Sequence, residues 1–174
     1  GHVFSDDAEW GPRAKRVSSK TKDVTEFLVE TGFWPIRPKE VSEKGVHDHT
    51  VASLAEGLKG KRVSYHDACH LVHTQKVSTQ PRELLKSVPG IEYVELPEAS
   101  WCCGSAGIYN IVRYDDSMKM LDRKVENIQT IRPDVIVTGN PGCMLQIQHG
   151  LRSKGMNVEL VHTATFLWRA CDAS

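Results

Sequence analysis

The sequence predicts an α/β protein in which helices flank a four-stranded parallel sheet, with a helical linker segment before it. After Gly60, short strand-like segments alternate regularly with longer helix-like segments. Strands separated by helix-length connections pair in parallel and carry helices on both faces of the sheet. One run, Val135–Val137, is entirely apolar, as is typical of a central strand. The 174 residues suffice for one well-packed domain, which we assign to 61–174, after a polar arm and helical linker in 1–60.

The N-terminal segment carries weaker structural signals than the rest of the chain. Residues 1–16 are polar and lack periodicity, so we expect a loosely docked arm. Apolar residues at helical spacing from Val24 to Thr31 predict a helix, which Gly32 would end. A second short helix is expected near 49–58. We interpret both helices as packing elements without chemistry of their own.

The elements of the α/β domain follow from hydrophobic periodicity and from the turn residues between segments. Strand-like segments alternate regularly with helix-like segments along this part of the chain. The predicted strands are Arg62–His66, Ile91–Leu96, Val135–Thr138 and Val158–Val161. The predicted helices are Pro81–Val88, Asp115–Ile131, Cys143–Lys154 and Thr163–Ala170.

Four of the five cysteines follow the first three predicted strands. Cys69 comes after the first strand, the vicinal pair Cys102-Cys103 after the second, and Cys143 after the third. Open α/β sheets bind ligands at the carboxyl ends of their strands. We therefore expect these sulfurs to share one pocket.

Two of these cysteines are also expected at the beginning of helices. Asp67 is a good N-cap two residues before Cys69, and Asn140-Pro141-Gly142 forms a turn that leads into the helix of Cys143. Backbone N–H groups in a first helical turn lower the pKa of a thiol and make its sulfur a better metal ligand or nucleophile.

The vicinal pair Cys102-Cys103 needs a chemical explanation, because adjacent cysteines rarely bridge each other without strain. Thiolates select zinc and iron-sulfur clusters, which favours a metal site. The alternative is that these cysteines are small buried apolar residues. Gly104 and Gly107 would allow loop N–H groups to approach the sulfurs, although simple turn geometry explains both glycines as well.

Histidines surround Cys69 in the sequence. Zinc accepts mixed cysteine and histidine ligands, so a zinc site that includes His66 or His70 is an alternative to an iron-sulfur cluster. More often, a histidine beside a metal site donates a hydrogen bond to one of its ligands, and this is the role that we assign to His66 and His70. Trp101 is expected either to shield the site from water or to pack in the core.

Four ordered motifs give the chain a family resemblance: Tyr65–Leu71, Gln80–Leu85, Cys102–Asn110 and Thr138–Cys143. Together they resemble the cysteine-rich CCG domain, which occurs in the cysteine-rich subunit of heterodisulfide reductase, in an anaerobic glycerol-3-phosphate dehydrogenase subunit, in lactate-utilisation proteins and in the glycolate oxidase iron-sulfur subunit. The resemblance covers roughly residues 60 to 170 and is greatest to the C-terminal half of the last of these, and the preceding segment resembles the helical linker before its second CCG domain. The chain would then be a part of a longer protein.

The resemblance implies an electron-transfer domain of a flavin-linked glycolate (2-hydroxyacid) oxidase. The implied ligands are Cys69, Cys102, Cys103 and Cys143, the implied cofactor is an iron-sulfur cluster of the 4Fe-4S type, and an isolated fragment could lack it. The implied partners are flavin-containing subunits and a quinone-type electron acceptor. The implied location is the cytoplasm, or the periphery of the inner membrane through the complex.

One departure from the family pattern concerns the number of thiolates. Many members end the last motif with Cys-x-x-Cys, whereas Gln146 stands at the final position here and Cys171 lies outside the motif. A site of four thiolates is therefore expected, with Gln146 beside it. Two other functions remain open: a structural module, with zinc or no metal, that docks the flavin subunits, and a thiol enzyme that uses Cys102 or Cys103 as a redox nucleophile.

Composition excludes several other classes. The 22 basic residues equal the 22 acidic ones, which disfavours nucleic-acid binding. No apolar run approaches the roughly 20 residues of a transmembrane helix, and no segment resembles a signal peptide. An odd number of cysteines concentrated in motifs indicates reduced thiols, as in a cytoplasmic compartment.

Overall fold

A computed structural model describes residues 2–32 and 57–170 and confirms the predicted fold class. Four strands form one sheet in the order β2-β1-β3-β4, and every neighbouring pair is parallel. The strands are β1 Arg62–Tyr65, β2 Glu92–Tyr93, β3 Val135–Thr138 and β4 Glu159–His162. The α-helices are α1 Trp10–Lys20, α2 Val24–Thr31, α3 Thr79–Lys86, α4 Tyr109–Val112, α5 Tyr114–Ile131, α6 Pro141–Ser153 and α7 Thr163–Ala170.

The core lies on both faces of the sheet because strand side chains alternate between them. In β3, Val135 and Val137 face α3 and α7, whereas Ile136 faces α5 and α6. Each fully buried aliphatic side chain contributes about 1.5–3 kcal/mol. On the face of the sheet that α5 and α6 cover, these two helices are in close contact. A Cβ on Gly150 would lie 2.7 Å from the side chain of Val125. Glycine at this position lets α6 approach α5.

The predicted helix near Val24 is confirmed as α2. The Asp23 side chain accepts a hydrogen bond from the Thr25 N–H, and the Glu26 carboxylate accepts one from the Asp23 N–H, which completes a capping box. Gly32 ends the helix with φ of 62°. α2 packs against α3, so the linker contacts the α/β domain. The division into 1–60 and 61–174 remains a prediction.

Three predictions about secondary structure were wrong or incomplete. The expected arm contains the helix α1, none of whose residues is buried. The second strand is shorter than Ile91–Leu96, because β2 pairs with β1 over only two residues at the sheet edge. A π-helical segment, His70–Gln75, follows β1 and was not predicted. The short helix expected near 49–58 lies mostly outside the described residues.

The described helices give no indication of a membrane span. Within residues 2–32 and 57–170, no helix combines the length and the hydropathy that crossing a bilayer requires.

Candidate metal centre

The four cysteines named from the sequence meet at the carboxyl edge of the sheet. The Cys69 thiol lies beside that of Cys102, the Cys102 thiol beside that of Cys103, and the Cys103 thiol beside that of Cys143. All four are free thiols. The convergence expected from the positions of the cysteines after the strand ends is therefore present in the structure.

The pocket has a buried side and a more open side. Cys103 and Cys143 are buried, and their sulfurs lie with a ring nitrogen of His66 in a group whose atoms are within 4.8 Å of one another. We call these three residues the inner donors. Cys69 and Cys102 are half-buried, and we call them the outer donors.

The loop that carries the vicinal pair depends on Gly104. Its φ is 88°, and a Cβ at this position would lie 2.5 Å from the Ser117 carbonyl oxygen. The Ser117 hydroxyl donates a hydrogen bond of 2.9 Å to the Gly104 carbonyl, and the Gly104 N–H donates to the Cys102 sulfur at 3.3 Å. This loop thus directs a backbone donor at a sulfur, as occurs around iron-sulfur clusters. Gly107 also has a positive φ, 64°, but no atom crowds it.

Gln146 supports this loop from behind. Its Nε2 donates to the Ser117 hydroxyl at 3.1 Å, and its Oε1 accepts from the Asn110 amide at 3.3 Å. The side chain therefore connects α6 to α5 and α4 beneath Gly104. Its influence on a metal remains a prediction.

Cys143 lies in the first turn of α6, as expected. The Asn140 side chain accepts a hydrogen bond from the Cys143 N–H at 3.2 Å, and Pro141 occupies the first helical position. The pKa of Cys143 is lowered, mainly by its hydrogen bond with Cys103.

For Cys69, the expected start of a helical segment is present, but the expected Asp67 cap and the lowered thiol pKa were wrong. Asp67 does not cap a helix, because its carboxylate makes a bidentate ion pair with Arg82 at 2.7 and 2.8 Å. A charged fork of two hydrogen bonds is stronger than a capping bond. Cys69 itself occupies the N-cap position of the π-helical segment, without a side-chain cap. Burial, followed by the proximity of Cys102, raises the pKa of its thiol.

The vicinal thiols also hold their protons when no metal is bound. The hydrogen bond with Cys103 and then burial raise the pKa of Cys102. For Cys103, the hydrogen bond with Cys102 lowers the pKa, but the hydrogen bond with Cys143 and burial outweigh it and raise the pKa to about 12. Neither thiol is a ready nucleophile at neutral pH, which counts against the thiol-enzyme hypothesis.

The two histidines take different positions. His66 is fully buried, and burial, together with the charge of Lys124, lowers its pKa to about 3, so the ring is neutral. Although it lies beside the Ala99 carbonyl, neither ring nitrogen makes a hydrogen bond of standard geometry within the described residues. His70 instead contacts the Asn140 amide at 3.3 Å.

Two side chains near the pocket were not correctly predicted from the sequence. Trp101 does not fill the core: it is exposed, and the Arg123 guanidinium stacks 4.1 Å from its ring centre. Lys124 was not singled out, yet it is fully buried and interacts electrostatically with the thiols of Cys103 and Cys69. The sequence feature that could have indicated its burial is its position within the apolar stripe of α5 formed by Leu121, Val125 and Ile128.

The donor set fits a soft metal group. Four sulfurs and an unpartnered neutral imidazole converge in a partly buried pocket. Thiolate sulfur binds iron-sulfur clusters and zinc, and a neutral ring nitrogen binds zinc or donates to a metal-bound sulfur.

Comparison with known proteins agrees with this chemistry. Residues 63–148 match the model of the family described as a cysteine-rich domain, CCG. The chain is 39% identical over 171 residues, 97% of its length, to a Bacillus subtilis protein named "Probable glycolate oxidase iron-sulfur subunit", of which it covers 35%. It is 32% identical to proteins named "Lactate utilization protein A" from Anoxybacillus flavithermus and from Geobacillus sp., over 95% of the chain and 62% of each relative. The chain thus spans less than two thirds of the length of these relatives.

Proposed function

Since residues 63–148 belong to the CCG cysteine-rich domain family, we propose that this chain is an electron-transfer domain that holds an iron-sulfur cluster through Cys69, Cys102, Cys103 and Cys143. The observation that carries the proposal is the convergence of these thiols, which follow three different strands of one sheet. A 4Fe-4S cluster matches four cysteine ligands. When bound, it supplies one-electron redox chemistry.

The chain's own residues would bind and shield this group. Cys103 and Cys143 are held by the packed core, the Gly104 N–H reaches the Cys102 sulfur, and the neutral His66 fills the dry side of the pocket. Arg82, a guanidinium near this edge, is already engaged by Asp67 and Glu95. It is therefore not free to clamp a carboxylate substrate, and substrate oxidation would take place elsewhere in the complex.

The names of the relatives suggest the setting. One is named as an iron-sulfur subunit of glycolate oxidase and others as lactate utilization proteins, and glycolate and lactate are both 2-hydroxyacids. We propose that the intact protein passes electrons from flavin-containing subunits of a 2-hydroxyacid oxidase towards a quinone-type acceptor. It would do so in the cytoplasm, or at the inner membrane through its partners.

A zinc site is the second candidate, and a specific observation favours it. His66, Cys103 and Cys143 alone form a compact group of three buried donors, and zinc is bound by such mixed sets. In that case the domain would be a structural module that docks the flavin subunits.

Metal and sulfide analysis after anaerobic purification separates the two candidates. We expect ~4 iron atoms and a similar amount of acid-labile sulfide per chain, with an electron paramagnetic resonance signal after reduction. Cys103→Ser should remove most of the iron, whereas Cys171→Ser, outside the motifs, should not. One zinc per chain without sulfide would replace the electron-transfer proposal with the structural one.

A further inference from the structure

A lysine is buried beneath the cysteine pocket. Lys124 lies on the face of α5 that carries Leu121, Val125 and Ile128, and it has no exposed surface. Its ammonium group donates hydrogen bonds to the carbonyl oxygens of Glu98 at 2.5 Å and Ala99 at 3.2 Å. A lysine is rarely fully buried unless it is paired with an opposite charge.

The usual anionic partners are already engaged. Among the residues that the structure describes, Lys124 makes no ion pair, because the Glu98 carboxylate binds Arg123 and Asn127. The neighbouring Asp67 carboxylate binds Arg82. Two neutral carbonyl oxygens are thus the hydrogen-bond acceptors of a buried cation, and burial lowers its pKa to about 8. A buried positive charge without a direct ion-pair partner is unfavourable.

The groups that can supply the missing charge are the thiols. The Ala99 carbonyl that accepts from Lys124 also accepts from the Asp67 N–H at 3.2 Å. Asp67 precedes Cys69 by two residues, and Ala99 precedes the vicinal pair by three. Lys124 therefore sits where the two cysteine loops meet. It interacts electrostatically with the thiols of Cys103 and Cys69 and with the carboxylates of Asp67 and Glu98, which are themselves ion-paired to Arg82 and Arg123.

We propose that Lys124 is the internal counter-cation of the cysteine pocket: it compensates the negative charge that the sulfurs acquire when they bind a metal group. A divalent ion, or a cluster with a core charge of 2+, leaves a net negative charge in the pocket when three or four thiolates hold it, and a buried cation stabilises that charge more than a surface cation does. For a bound iron-sulfur cluster, which rests on the proposed function, the same charge stabilises the reduced form and raises the reduction potential. Lys124 is thus a positioning and tuning residue and does not itself touch the metal.

Two variants and one control test this role. Lys124→Met removes the charge at nearly equal volume, and Lys124→Gln removes it but keeps a hydrogen-bond donor. Lys119→Gln makes the same charge change on the same helix at an exposed position, where the lysine side chain is 77% accessible. Circular dichroism and urea unfolding would first establish that each variant is folded.

The first readout needs no iron. Cd²⁺ added to the reduced, metal-free chain reports thiolate binding through its sulfur-to-metal absorption band. We expect Lys124→Met and Lys124→Gln to weaken Cd²⁺ binding by about tenfold or more, equivalent to one pKa unit at a single thiol. Lys119→Gln should bind as the unchanged chain does, since an exposed charge is screened by solvent.

The second readout is the reduction potential of the cluster-loaded chain, measured by electron paramagnetic resonance during a redox titration. We expect both Lys124 variants to lower it, by about 59 mV for each tenfold change in a one-electron equilibrium. If the unchanged chain binds Cd²⁺ but never takes up iron, the proposed function is overturned. The role of Lys124 would then be decided by the Cd²⁺ affinities of its variants alone. Unchanged Cd²⁺ affinity and potential in folded Lys124→Gln would overturn the counter-cation role, and so would failure of both Lys124 variants to fold, which would assign the lysine to the scaffold.

Discussion

The inner and outer donors of the pocket follow strands in the same way but are held differently. Cys143 begins a helix of 13 residues whose N-cap Asn140 bonds to its backbone, and it packs in the core beside Ile136 and Ile147. Cys69 begins a π-helical segment of six residues without a side-chain cap and remains half-buried. The difference shows that the sheet edge brings the sulfurs together, whereas capping and burial determine which of them are fixed before a metal arrives.

Removal of one donor from each side is the strongest test of this difference. We expect Cys143→Ser to weaken Cd²⁺ binding by more than the roughly 10–100-fold that changes in supporting residues produce, because no neighbouring donor can replace a sulfur held in the core. Cys69→Ser should cost less, since a half-buried loop can rearrange or admit water as a ligand. Equal losses in Cd²⁺ titrations of the two variants would show that the inner and outer donors are equivalent.

The loop of the vicinal pair offers the next largest effect. Gly104→Ala would force a Cβ within 2.5 Å of the Ser117 carbonyl at a φ of 88°. We expect the free energy of unfolding to fall by about 2–5 kcal/mol from backbone strain and overpacking combined. The matched control is Gly107→Ala, which has a positive φ but open space, and it should cost about 1–2 kcal/mol. Urea unfolding measures both, and equal costs would mean that contact with Ser117 does not constrain the loop.

The inner and outer donors also show how much of the site could be predicted from the sequence. Cys69, the vicinal pair and Cys143 could be assigned to one pocket because the positions of the strand ends follow from local patterns, and parallel sheets bind ligands at the carboxyl ends of their strands. The strand order β2-β1-β3-β4 could not be predicted in the same way, because periodicity does not say which strands are neighbours. The ion pair of Asp67 with Arg82 could not be predicted, because the two residues are 15 positions apart in the chain. It also competes with the local helix cap that the sequence suggests for Asp67. Lys124 was missed for a related reason: a lysine in an apolar stripe is ordinarily interpreted as a side chain that reaches solvent, and only the packed structure shows that it does not.

The inner donors should also make the metal-free chain sensitive to acid. Burial lowers the pKa of His66 from an ordinary 6.5 to about 3. Between these pH values, the imidazole is protonated in the unfolded chain and neutral in the folded chain. The stability from neutral His66 is complete above pH about 6.5 and is lost as pH falls towards 3, with a slope of up to about 1.4 kcal/mol per pH unit. His66→Gln should reduce that slope in urea unfolding measured between pH 4 and 7, whereas His73→Gln, at an exposed position, should not.

The smallest expected effect concerns the cap that distinguishes Cys143 from Cys69. Asn140→Ala removes the acceptor of the Cys143 N–H and should lower the free energy of unfolding by about 1 kcal/mol, the usual value of an N-cap. Asn140→Ser restores a capping oxygen and should recover most of that loss. Because the cap orients the first turn of α6, Asn140→Ala should also weaken Cd²⁺ binding, and Asn140→Ser should weaken it less. If Asn140→Ala lowers stability while leaving Cd²⁺ affinity unchanged, burial alone fixes the position of Cys143, and the cap belongs to the fold and not to the site.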